Sequence, residues 1–143
     1  MGRAYTYQCT NCDFKNEYLT GGGFLSKEYF DEGERLVSEL KADIQQGKYG
    51  EILKAMIDSD QDESLYISCE TGICQCSKCH TISVHRRKYI GTGWDDEAPY
   101  DLRIDIKQTC PDCNTGHLEW DSKNLLCPQC RHPLRLNSIS MWD

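Results

Sequence analysis

Eight of the ten cysteines in this 143-residue chain fall into pairs with two residues between them: Cys9/Cys12, Cys76/Cys79, Cys110/Cys113 and Cys127/Cys130. A tight turn with that spacing aims both sulfurs at one ion while backbone amides soften the thiolate charge. Two such turns complete a tetrahedron of soft ligands, about 2.3 Å from zinc. Four pairs close two sites, so the spacing predicts two Zn2+ ions. Iron is admissible in one of them, because tetrahedral sulfur suits either metal.

Cys110-Pro111-Asp112-Cys113 and Cys127-Pro128-Gln129-Cys130 resemble the Cys-Pro-x-Cys knuckles of zinc ribbons and rubredoxins, over residues 108–134. The segment between the two knuckles reads as a hairpin, with Thr115 to Trp120 as one strand, Asp121 to Asn124 as the turn and Leu125-Leu126 as the start of the return strand. The resemblance implies a small β unit folded around a four-cysteine site, and it carries no particular function. The stretches from Tyr7 to Phe14 and from Gln75 to His80 resemble the same knuckles. Asp13 and His80 stand where a glycine usually follows the second cysteine.

Loop closure favours the short segment from Cys110 to Cys130 closing on itself, which leaves Cys9/Cys12 to share an ion with Cys76/Cys79. That preference is of order 1 kcal/mol. Two other pairings stay open: Cys76/Cys79 with Cys110/Cys113 and the outer pairs together, or an interleaved cross-brace.

Cys69 and Cys74 remain. They flank Glu70-Thr71-Gly72, which reads as a turn, and two buried small side chains are the simplest expectation. Redox use, through a reversible disulfide or as a thiol sensor beside a metal site, is the alternative. His80, His85, His117 and His132 offer ring nitrogens, but four cysteines already close each site. His117-Leu118-Glu119 matches the His-x-Glu of zinc deaminases. The Pro-Cys-x-x-Cys that signature requires is missing, since Leu126 precedes Cys127.

A closed four-cysteine site leaves no open coordination position and serves folding rather than catalysis. The chain also lacks a phosphate loop, a His-Glu-x-x-His and a nucleophile elbow. A non-enzymatic zinc-binding module is therefore expected, contacting a protein or single-stranded nucleic acid. Rubredoxin-like electron transfer is the competing function. The basic run His85-Arg86-Arg87-Lys88, with Trp94, Tyr100 and Trp120, is the candidate contact surface. A formal charge of −7 opposes broad binding to a nucleic-acid backbone. Eight thiolates (−8) and two divalent ions (+4) would take it to −11.

The elements that must position these groups divide at the cysteines. Residues 1–90 read as a ribbon-like unit with a helical insertion at about 26–58. Residues 91–107 read as a loop and connecting strand, and residues 108–143 as a C-terminal zinc ribbon ending in a tail from Asn137. The fold class expected is α+β. Ser26 is the expected N-cap of a helix to residue 46, with Phe30, Val37, Leu40 and Ile44 on one stripe and Gly47 as its stop. A second short helix carries Ile52, Leu53, Met56 and Ile57. Leu102, Ile104 and Ile106 alternate with charged residues, as in a strand with one wet face.

Hydrophobic residues make up 38% of the chain and mean hydropathy is −0.66, so its small core needs a staple. Residues 1–9 lack the apolar run of a secretory signal, and no segment is long and apolar enough to span a membrane. Gly2 and Thr6 meet a myristoylation pattern that is too short to weigh. A cytoplasmic setting with reduced thiols is expected.

Overall fold

The computed structural model describes residues 2–21, 27–59, 65–92 and 103–142. In chain order they form β1 (Gly2–Cys9), β2 (Lys15–Thr20), α1 (Lys27–Gln45), α2 (Glu51–Ser59), β3 (Leu65–Cys76), β4 (Ile82–Thr92), β5 (Arg103–Asp105), β6 (Leu118–Glu119) and β7 (Leu134–Trp142). The strands make two sheets, ordered β2-β1-β7 and β5-β4-β3-β6. The fold is α+β, with the helices inserted between strands as expected. Ser26, Trp94, Tyr100 and Leu102 lie outside the described residues, as does the side chain of Phe30.

Three local expectations are corrected. The segment expected as a tail is most of β7, which pairs antiparallel with β1 from Gly2↔Trp142 to Cys9↔Leu134. Its signal was the spacing of Leu134, Leu136, Ile139 and Met141, broken by one extra residue where the register shifts opposite Thr6/Tyr7. Glu70-Thr71-Gly72 is no turn but the middle of β3. Leu118–Glu119 does not pair with Leu125-Leu126: it pairs with Gln75 and Cys76 of β3, while Leu126 bridges Pro133.

The chain forms two compact units, each assembled from separated stretches. One comprises Lys27–Glu70 and Arg87–Ile106. Its core is Leu40, Ile44, Ile90 and Ile106, with Tyr49, Leu53, Ile57, Leu65 and Ile67 packed around them. Ile52, expected on the apolar stripe, is 80% exposed. α1 ends where Gly47 takes φ 82°, a left-handed angle that suits glycine. The Gly47 amide then donates to Ile44 C=O and the Lys48 amide to Asp43 C=O, which satisfies carbonyls at the helix end.

The other unit comprises Met1–Ser26, Thr71–Arg86 and Lys107–Asp143 and contains all eight paired cysteines. Tyr7, Tyr18, Ile73, Ile82 and Leu125 form its apolar core. The Tyr7 hydroxyl donates to Ser122 C=O at 3.0 Å, so the buried ring keeps its polar end satisfied.

Candidate metal centre

Each Cys-x-x-Cys pair sits at a chain reversal. Cys9/Cys12 cap the β1–β2 hairpin, where the Cys9 amide donates to Phe14 C=O at 2.9 Å. Cys76/Cys79 cap the turn from β3 to β4, with the Cys76 amide on Thr81 C=O at 3.1 Å. Cys110/Cys113 lie between the bridged residues Thr109 and His117, and Cys127/Cys130 between Leu126 and Pro133. Three of the four turns place the residue after the second cysteine in the left-handed region: His80 at φ 59°, Asn114 at 58° and Arg131 at 68°. The absent glycine therefore did not prevent the turn at His80.

The pairs meet in nested order. Cys9, Cys12, Cys127 and Cys130 form one group, and Cys76, Cys79, Cys110 and Cys113 the other, with all sulfurs of a group within 4.8 Å of one another. This overturns the favoured pairing of Cys9/Cys12 with Cys76/Cys79 and of Cys110/Cys113 with Cys127/Cys130. The first of the open alternatives holds instead. The physical reason is β7: by pairing with β1 it brings Cys127/Cys130 to the tip of the first hairpin, and the ladder outweighs a loop-closure preference of about 1 kcal/mol.

The sulfur geometry fits a tetrahedral ion. Cys9 and Cys130 Sγ are 3.4 Å apart and Cys12 and Cys127 3.5 Å. Cys76 and Cys113 are 3.6 Å apart and Cys79 and Cys110 3.7 Å. Metal–sulfur bonds of about 2.3 Å require tetrahedral edges of about 3.8 Å. These separations far exceed a disulfide bond of about 2.05 Å. In each group one cysteine of each pair is buried and the other half-buried.

Backbone amides point at the sulfurs. Asn11 N–H donates to Cys9 Sγ at 3.3 Å. Lys78 and Cys79 N–H donate to Cys76 Sγ at 3.3 and 3.4 Å, and Gly116 N–H to Cys113 Sγ at 3.4 Å. The amide and hydroxyl of Thr115, with the Gly116 amide, hold the Cys113 thiol down at about 5. The His132 amide does the same for Cys130, to about 6, and hydrogen bonding to Thr81 lowers Cys79.

Other thiols hold their protons. The Phe14 amide favours the Cys12 thiolate, but desolvation and the sulfurs of Cys127, Cys9 and Cys130 push Cys12 up to about 12. Cys110 is pushed up to about 11 in the same way, by desolvation and by Cys76 and Cys79 against the amides of Cys113 and Asp112. Four crowded sulfurs resist ionising together without a cation, and a divalent soft ion supplies that charge.

Glycine has one structural demand here. A methyl group at Gly116 would overlap the Cys76 sulfur and crowd Lys78. Sequence reasoning also passed over Gln75, a buried polar residue in the run Ile73-Cys74-Gln75-Cys76. A carboxamide within the apolar run Ile73 to Cys76 was the available signal.

Among the described residues, the four-ligand groups are made of cysteines alone. The Nδ1 of His132 lies 3.3 Å from Cys130 C=O, and the carbonyl of His80 accepts from Gln75 Nε2 at 3.0 Å. Cys74 is fully buried, and burial pushes its thiol up to about 11. Cys69 is half-buried against the core of the helical unit. The two are five residues apart on the single strand β3 and do not flank a turn.

The basic run His85 to Lys88 lies on β4, where alternation sends His85 and Arg87 to one face and Arg86 and Lys88 to the other. Arg87 makes a bidentate pair with Asp105, with both contacts at 2.6 Å. Trp120 is half-buried and packs on the cluster of Cys74, Cys76, Cys110 and Leu118.

The fold and site thus define an α+β chain with two four-cysteine groups at metal-binding distance. No protein-family model, curated protein or solved structure matches it. No described helix is long and apolar enough to cross a membrane.

Proposed function

We propose that this chain is a non-enzymatic zinc protein, one Zn2+ in each cysteine group, whose metal-held surface contacts another protein. The nested pair of sulfur tetrahedra carries this reading. Four sulfurs fill a tetrahedral shell, so the ions organise the chain and leave no position for a substrate or a reactive water. The reading therefore places the protein among binding modules rather than enzymes.

A protein partner is favoured over nucleic acid by the formal charge of −7 and by the ion pair that engages Arg87. The strand β7 is the last in its sheet and exposes Leu136, Ile139 and Met141 at 42, 53 and 65%. Such an apolar row suits a protein surface better than a phosphate backbone. The buried, protonated Cys74 opposes the thiol-sensor alternative, because the thiolate is the reactive form.

Metal analysis of protein purified without added metal tests the reading. Two zinc ions per chain, no visible absorption and no co-purified nucleic acid are the expected results. A coloured protein holding one iron replaces the reading with rubredoxin-like electron transfer. Absence of metal at either group overturns both.

A further inference from the structure

Gln75 is 9% exposed, and its side chain makes three hydrogen bonds, all to backbone groups. Its Nε2 donates to Leu126 C=O at 2.7 Å and to His80 C=O at 3.0 Å, while its Oε1 accepts from Leu126 N–H at 3.0 Å. The carboxamide thus serves Leu126 as a neighbouring strand would, satisfying both of its main-chain groups.

The positions of these partners matter. Gln75 immediately precedes Cys76, and His80 immediately follows Cys79, so the two bracket one knuckle of the second group. Leu126 immediately precedes Cys127, a fully buried sulfur of the first group. One side chain therefore ties the frame of a knuckle in one group to the approach of a knuckle in the other. A buried amide cannot leave such partners without stranding polar groups on both sides.

We propose that Gln75 is a positioning residue that couples the two metal sites, so that filling either one raises the affinity of the other. The proposal rests on the metal-binding reading above. An ion at Cys76, Cys79, Cys110 and Cys113 fixes the turn from Gln75 to His80. The fixed carboxamide then fixes Leu126 and hence the direction from which Cys127 enters the first group. Linkage makes the effect reciprocal.

The test titrates reduced, metal-stripped protein with Co2+ and follows the thiolate-to-cobalt charge-transfer band. Affinity at the Cys9 site is compared between the intact chain and one whose second group is disabled by Cys76→Ser with Cys79→Ser. Disabling the second group should weaken the first about tenfold, within the usual range for coupled sites. In a Gln75→Ala background the same change should cost less than about twofold. An equal loss in both backgrounds overturns the proposal. Gln75→Glu keeps the acceptor for Leu126 N–H and loses both donated bonds. It is read the same way where the alanine variant fails to load.

A second measurement leaves Gln75 in place. In Cys127→Ser with Cys130→Ser, filling the remaining group should slow amide exchange at Leu126 about tenfold, and unchanged exchange overturns the coupling. No charge-transfer band in the natural sequence would defeat the metal reading itself, a failure distinct from independent sites.

Discussion

The two cysteine groups share a shape and differ in what assembles them. The first joins Cys12 to Cys127 across 115 positions, and the second joins Cys79 to Cys110 across 31. Within the second, Ser77 and His117 tie the two knuckles together by a pair of 3.0 Å bonds, Ser77 N–H to His117 C=O and His117 N–H to Ser77 Oγ. The matching ties in the first are longer, Thr10 Oγ1 to Pro133 C=O at 3.3 Å and Cys12 Sγ to Gln129 Oε1 at 3.9 Å. The first group instead draws on eight cross-strand pairs between β1 and β7. A distant staple is thus held by a sheet, and a nearer one by its own turns. The polymer penalty for the longer span is only about 1 kcal/mol, and a strand ladder offsets it readily.

Removing a buried ligand from each group tests that difference most strongly. Cys127→Ser and Cys76→Ser should each hold one zinc per chain at saturating metal, as native mass spectrometry would count. Structural zinc supplies about 10–16 kcal/mol in small finger peptides, so each loss should destabilise by several kcal/mol. The pattern of damage separates the two. Hydrogen exchange should rise first in β1 and β7 for Cys127→Ser, and first in the 71–86 and 107–119 stretches for Cys76→Ser. The same pattern from both variants would mean that the groups do not support different parts of the unit.

Gly116→Ala sharpens the comparison from inside the second group. The added methyl overlaps the Cys76 sulfur. Overpacking of this kind costs about 1–3 kcal/mol, here with weaker metal retention in the second group and, at the first, a smaller loss that stays within the about tenfold set by the coupling. Competition with a calibrated chelator would resolve the two sites. Equal retention at both would show that the backbone moves aside without harm.

Cys74 lies beside the second group and gives that region a pH signature. Its folded pKa is raised from 9.0 to about 11, because burial favours the neutral thiol. A raised folded value contributes stability that is fully present below pH 9.0, where both states are protonated. That stability is lost as pH rises toward about 11 and the unfolded chain gives up the proton first. Denaturant titrations of the metal-loaded protein should show this loss, and Cys74→Ala should flatten it. An unchanged alkaline limb in the variant would assign the loss elsewhere.

The eight cysteines that gather at metal-binding distance are legible from spacing alone, because Cys-x-x-Cys is a local geometric device. So are α1, its buried Leu40 and Ile44, and the stop at Gly47, since each follows from helical periodicity and one special angle. The partners of each knuckle are not legible. They depend on β1 meeting β7, two segments at opposite ends of the chain whose alternation is short and, in β7, interrupted by a bulge. Leu118 and Glu119 fit half of a local hairpin by sequence, whereas their partners are Gln75 and Cys76, more than forty positions earlier. Gln75 was missed for the same reason: its role appears only when Leu126 is beside it. Local chemistry is written in neighbouring residues, and long-range pairing is settled by which strands find each other.

The smallest expected effect concerns the residue after each second cysteine and separates three knuckles from the fourth. His80, Asn114 and Arg131 adopt positive φ, whereas Asp13, the corresponding residue in the first knuckle, is not among the positive-φ residues. A left-handed conformation costs a residue with a Cβ roughly 1–2 kcal/mol, and asparagine tolerates it best. Glycine removes that strain but adds freedom to the unfolded chain, so the net gain is smaller. Arg131→Gly is the cleaner substitution, since that side chain is exposed, and should stabilise the metal-loaded protein by about 0.5–1 kcal/mol. That corresponds to a rise in Tm of about 2–4 °C. Asp13→Gly should give no gain and a loss of up to about 1 kcal/mol, because it adds only unfolded-state entropy. Paired thermal melts decide the matter. Equal gains at residues 13 and 131 would show that backbone angle does not distinguish the first knuckle from the other three.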